Sequence, residues 1–133
     1  MEVSLEERVS NWLEEAVADL KTAEILLNAG RFNACAFHSQ QAAEKAMKAL
    51  LLKLHLAPWG HSVWNLYLNA AEELGIEDPP TEEAAKGLDW HYIPSRYPDA
   101  LPAGTPSRFY DRGKAEEALE WARKVITFVK EHL

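Results

Sequence analysis

Apolar residues recur every three or four positions over most of this chain, and no segment shows the alternation with a period of two that a half-buried strand needs. From Leu5 to Asn28 the recurrence is Val9, Trp12, Leu13, Ala16, Leu20, Ala23 and Leu27. A helix presents such residues as one stripe, and the stripe has to be buried. Ser4 followed by Glu7 has the form of a capping box, and Gly30 supplies the residue that closes a helix. The pattern predicts an all-α fold: an up-and-down antiparallel bundle of about five helices, formed by residues 1–133 as a single domain.

The longest helix is predicted from Arg31 to Leu56. One stripe holds Ala36, Gln40, Ala43, Met47, Leu50, Leu51 and Leu54, and a second holds only small residues, Cys35, Ser39, Ala42, Ala46 and Ala49. Two packing stripes make this the central helix. Gln40, in line with apolar residues, is expected to be buried and hydrogen-bonded. The third face, Gln41, Glu44, Lys45 and Lys48, is expected to be accessible, with Glu44 and Lys48 in the favourable i,i+4 order. Pro58 and Gly60 break the helix, and a third runs from Ser62 to Leu74, ending at Gly75. Thr81 is expected to cap a short fourth helix carrying Ala84 and Leu88. From Ile93 to Tyr110 four prolines and Gly104 predict a long loop, and Asp111 caps a last helix with its stripe from Ala115 to Val129.

Composition excludes several classes. A formal net charge of −7 is wrong for a protein that coats nucleic acid non-specifically, so any nucleic-acid contact is local. A single cysteine, Cys35, allows no internal disulfide. The first residues lack the basic-then-apolar order of a signal peptide, and no apolar run is long enough to span a membrane, so the expectation is a cytoplasmic protein. There is no phosphate-binding glycine loop, no Cys-Cys metal spacing and no HExxH helix. The five histidines show no ligand spacing, and neither a metal nor a cofactor is expected.

Two segments could carry chemistry. One is the polar face of the central helix. The other is Tyr92-Ile93-Pro94-Ser95-Arg96-Tyr97-Pro98-Asp99. Arginine offers planar donors that fit a phosphate, and tyrosine can stack on a base. Equally, Arg96 could pair with Glu44 or Asp99 and simply pin the loop.

The run Ala34-Cys35-Ala36-Phe37-His38-Ser39-Gln40-Gln41-Ala42-Ala43-Glu44-Lys45-Ala46-Met47-Lys48-Ala49-Leu50-Leu51 resembles the signature helix of HEPN domains. Gly60-His61-Ser62-Val63 is similar to the short histidine motif that follows that helix, and Tyr92 to Ala100 is similar to the family's arginine-tyrosine-proline motif. The resemblance implies a helical bundle that dimerises and pairs with a minimal nucleotidyltransferase in a toxin–antitoxin-like system. It also implies a site of nucleotide or partner binding drawn from Gln41, Glu44, Lys45, Lys48, His61, Arg96, Tyr97 and Asp99. Within it Arg96 would hold a phosphate, Lys45 or Lys48 would add charge, and His61 would serve an anion at the start of the third helix. The alternative is a metal-independent ribonuclease. HEPN ribonucleases place a histidine after the arginine with four to six residues between, and here those positions are Leu101, Pro102 and Ala103. Arg31 and His38 have a matching spacing, but they lie on the signature helix itself, in a chain with six arginines and five histidines. The leading expectation is therefore a non-catalytic binding module, with no assigned catalytic residue.

Overall fold

Ser4 accepts a hydrogen bond from the Glu7 amide at 3.1 Å and so opens the first helix, α1 (Leu5–Asn28). The computed structural model describes residues 2–133. It contains α2 (Phe32–Lys53), α3 (Val63–Leu74), α4 (Pro79–Trp90), the single turn α5 (Pro106–Phe109) and α6 (Arg112–His132). No strand occurs among the described residues.

Helix α2 is the axis of the fold: α1 lies along it, and α3, α4, α5 and α6 all touch it. Its small residues explain how. Cys35, Ala36, Ala42, Ala43, Ala46 and Ala49 are all fully buried, as are Ala16 and Ala23 of α1 and Ala115, Ala118 and Ala122 of α6. Without long side chains between them, backbones approach closely on two sides at once. Met47, Leu50, Leu51, Val63, Leu66, Leu88, Phe128 and Val129 fill the remaining space in one continuous core.

Three boundaries differ from the sequence reading. Helix α4 begins two residues before Thr81, because Asp78 is the cap and accepts from the Thr81 amide at 3.3 Å. Pro79 and Pro80 then occupy first-turn positions, where a missing amide costs nothing. Helix α2 stops at Lys53 rather than Leu56. The Leu56 amide bonds to the Leu51 carbonyl and the His55 amide to that of Leu52, which is a Schellman closure. The proline-rich segment is a loop as expected, but a 3₁₀ turn at Pro98–Ala100 and helix α5 interrupt it.

Two positions are backbone-critical. Gly87, inside α4, has the indole of Trp121 against it; a Cβ there would lie 2.3 Å from a ring carbon. His55 stands at φ 62° in the left-handed closing position, where α1 and α3 use Gly30 and Gly75. Its side chain is exposed and makes no hydrogen bond there. Replacing His55 with glycine should therefore relieve backbone strain and stabilise the fold by about 0.5–1 kcal/mol, the left-handed penalty less the extra chain entropy of glycine. Thermal melting checks this: His55→Gly should melt about 2–4 °C above wild type, and a lower melting point would show that the imidazole has a structural role.

Candidate functional site

The side chains of Gln40 and Glu44, one turn apart on α2, are buried beneath the segment that enters α3. Gln40 Nε2 donates to the His61 carbonyl at 2.9 Å, which fixes the orientation of its amide. Gln40 Oε1 must then face Gln41, and it accepts from Gln41 Nε2 at 2.7 Å. Glu44, only 4% exposed, is surrounded by donors. Lys48 Nζ lies 3.1 Å from Oε2, His61 Nδ1 lies 3.1 Å from Oε1, and Gln40 Nε2 approaches Oε1 at 3.4 Å. A carboxylate out of water needs such a shell.

The imidazole of His61 is 60% exposed and stacks on Tyr92, with ring centroids 4.8 Å apart and planes within 15°. The guanidinium of Arg96 lies over the same Tyr92 ring at 4.7 Å, over Phe37 at 4.4 Å and over Tyr97 at 4.9 Å. Its Nε donates to the Tyr92 carbonyl at 3.0 Å. No carboxylate lies within ion-pair distance of Arg96 among the described residues. Its terminal amino groups are therefore held in place by aromatic rings, with their donors unclaimed by the protein.

The structure thus brings together Gln41, Glu44, Lys48, His61, Arg96 and Tyr97, joined by Phe37 and Tyr92. It also corrects several expectations. Glu44 and Lys48 are buried, because α1 covers Lys48, whose Nζ sits 5.6 Å from the Trp12 ring, and His61 covers Glu44. Gln41 and Lys45 are half-buried. Neither lysine adds free charge near Arg96. Lys48 is neutralised by Glu44, and Lys45 pairs with Asp19 of α1 at 2.6 Å. Burial works against the Asp19 carboxylate, but His38 and Lys45 outweigh it and hold its pKa below the usual value. Arg96 pairs with neither Glu44 nor Asp99, and Asp99 is exposed on the 3₁₀ turn. The N-terminus of α3 is not open to an anion either. Asp89 of α4 occupies it, accepting from Ser62 Oγ at 2.7 Å and from the Val63 amide at 2.6 Å. Burial raises the pKa of that carboxyl despite these bonds.

The model of the HEPN domain family matches residues 9–132. The chain belongs to this family. A HEPN homologue from an archaeon, ST0689, superposes with a TM-score of 0.80 at 34% identity, covering 93% of this chain and 96% of its own. The protein TT1696 of Thermus thermophilus superposes with a TM-score of 0.89 at 44% identity, over 95% and 98% of the two chains. The candidate toxin MJ1304 of Methanocaldococcus jannaschii is 30% identical over 130 residues, covering 92% of this chain and 86% of its own length.

In this HEPN domain the segment carrying Arg96 is anchored from below by residues that no motif marks. Asn33 of α2 donates to the Ser95 carbonyl at 3.2 Å, and the buried Ser95 hydroxyl donates to the carbonyl of His91. The buried His91 ring lies 2.7 Å from the Tyr110 hydroxyl. Asn33, His91 and Asp89 meet their partners across the fold, so nothing local in the sequence points to them. Phe37 was legible in principle, since it lies one helical turn before Gln41. Burial, helped by the charge of Lys114, lowers the His91 pKa to about 4. Between pH 6.5 and 4 the unfolded chain binds a proton that folded His91 refuses, so stability must fall as pH drops through that window, by on the order of 3 kcal/mol. Melting curves of wild type and His91→Gln at pH 7, 5.5 and 4.5 test this. The stability difference between them should shrink as pH falls; a constant difference would mean that His91 is not held neutral.

Proposed function

We propose that this HEPN domain recognises the phosphate of a nucleotide or of RNA on its Arg96 face. We further propose that it acts with a minimal nucleotidyltransferase partner as half of a toxin–antitoxin-like pair. One observation carries the first part. Arg96 is immobilised by Phe37, Tyr92 and Tyr97, its Nε is satisfied by a carbonyl, and its terminal donors have no protein acceptor. An arginine whose only task was to pin a loop would be expected to close on a carboxylate. A guanidinium held among aromatic rings with its terminal donors unpaired suits a planar, bidentate grip on phosphate. Tyr97, 51% exposed beside it, offers a ring on which a base can stack. The toxin-like role draws on the similarity to MJ1304, and the partner on the resemblance to HEPN proteins of the paired type. A second reading, a metal-independent ribonuclease, is favoured by one feature: a histidine hydrogen-bonded to a carboxylate stands one ring away from Arg96.

Calorimetry with ATP, GTP and short single-stranded RNA tests the phosphate site. Wild type should bind at least one of them, more weakly as salt rises. Arg96→Ala should lose about tenfold or more in affinity while remaining folded, the worth of one or two charge-assisted hydrogen bonds. Binding unaffected by the substitution would reduce Arg96 to a loop anchor.

The reading includes a homodimer. Trp59 is 77% exposed and Trp90 50%, with Trp64 and Ile93 also open to solvent, and a second copy of the chain could cover such side chains. Light scattering at high micromolar concentration should return twice the 15.0 kDa chain mass; a monomer mass would remove this part of the proposal.

A further inference from the structure

We propose that the groove between α3 and the start of α4 docks a basic amphipathic segment of another protein, with apolar side chains on its floor and lysines or arginines against its rim. The groove shares no residue with the Arg96 site, so this inference goes beyond the phosphate reading and does not rest on it.

Helical spacing builds the floor. Tyr67, Leu68 and Ala71 recur along one side of α3, and Ile76 and Pro79 line the hollow from the turn into α4 and from its first residue. The hollow measures about 720 Å³. Leu68 is 41% exposed there, beside the buried Tyr67 and Ala71, and no other part of the chain covers it. The charged lining is entirely acidic: Glu72, Glu77 and Glu82. None of these carboxylates lies within ion-pair distance of a cation among the described residues. The Tyr67 hydroxyl is already engaged, accepting from the Asp78 amide at 2.8 Å and donating to the Asp78 carbonyl at 3.2 Å. Burial raises the pKa of that hydroxyl, and the charges of Glu82, Asp78 and Glu77 add to the rise, so the floor feels the negative field of the rim.

Charge complementarity selects the occupant. Residues 72–89 carry seven carboxylates against Lys86 alone, a net of −6, so all but one unit of the chain's −7 sits on this helical hairpin. Asp78 and Asp89 cap α4 and α3, and Lys86 lies over the Trp64 ring at 4.8 Å. A face that only meets water carries both signs interspersed, as α6 does with its Arg112–Glu116 and Arg123–Glu120 pairs. Here like charges surround an apolar floor, and their mutual repulsion is relieved when cations arrive. Nucleic acid is repelled by the same field. A segment with an apolar stripe flanked by cations satisfies both features at once, in the manner of a helix laid in a groove. Leucine-type side chains cover Leu68 and Ile76, and the flanking cations meet Glu72, Glu77 and Glu82.

The test uses the full chain and a fluorescein-labelled helical peptide with leucine on one face and lysine on the other, followed by fluorescence anisotropy. Wild type should bind it, and about tenfold or more weakly when salt is raised from about 0.05 M to about 0.5 M. Two control peptides, one with alanine for leucine and one with glutamate for lysine, should each bind at least about tenfold more weakly. Glu72→Lys/Glu77→Lys changes two exposed side chains and should lose about tenfold or more in affinity for the lysine peptide while gaining affinity for the glutamate peptide. Glu116→Lys/Glu117→Lys on α6 makes the same change in net charge and should bind as wild type does. Failure of the lysine–leucine peptide to bind, equal binding of the alanine peptide, or an equal loss in the α6 variant each overturns the inference. So does self-association that Glu72→Lys/Glu77→Lys abolishes, because a second copy of the chain would then be what covers the groove. None of these outcomes bears on the phosphate site, which the calorimetry with Arg96→Ala decides separately.

Discussion

A buried carboxylate on the central helix organises this molecule. Taking Glu44 out of water is tolerable only because its oxygens meet Lys48, His61 and Gln40. Each donor ties the carboxylate to a different part of the fold. Lys48 reaches towards Trp12 of α1, His61 belongs to the segment entering α3, and Gln40 holds the backbone of that segment through its carbonyl. The same network that stabilises the buried charge therefore fixes where the chain turns after α2. It also positions the ring on which Tyr92 stacks, and through Tyr92 the guanidinium of Arg96.

Around this point the helices can be close because so many of their contact residues are alanine. Small side chains leave little room for adjustment, so the polar groups trapped between helices must be matched where they stand. The pairing of Asp19 with Lys45, the capping of α3 by Asp89 and the anchoring of Ser95 by Asn33 are each solved across two elements. The long proline-rich segment depends on the same logic. Proline removes amides that would otherwise need partners, and several of the remaining polar groups are taken up by the 3₁₀ turn, by α5 and by the His91–Ser95 bond.

The order of the five longer helices and their apolar stripes were legible in the sequence, since periodicity and local caps decide them, whereas the single turn α5 was not. Ser4, Ser62 and Asp111 cap the helices they precede. The start of α4 is harder to read because Thr81 and Asp78 are both good caps, and only the proline pair at the first turn discriminates between them. For the site, the local motifs named the right chain segments but not the electrostatics. A lysine and a glutamate at i,i+4 look the same in sequence whether water or Trp12 lies beyond them. Whether Lys48 offers its charge to a ligand depends on how α1 lies across α2, and that is a property of packing. The capping of α3 by Asp89 was equally hidden, since Ser62 and Asp89 lie 27 positions apart.

The contact between Gly87 and Trp121 sets how closely α4 and α6 can approach. The indole occupies the space where every other residue type would carry a Cβ, so α4 rests on α6 through bare backbone. Helix α4 ends three residues later at Trp90, and Tyr92 lies in the turn that follows it. A methyl group added at Gly87 would collide with the Trp121 ring, so either the indole or α4 has to give way. The packing of the helix that leads into Tyr92 is thus set partly by an atom that Gly87 lacks.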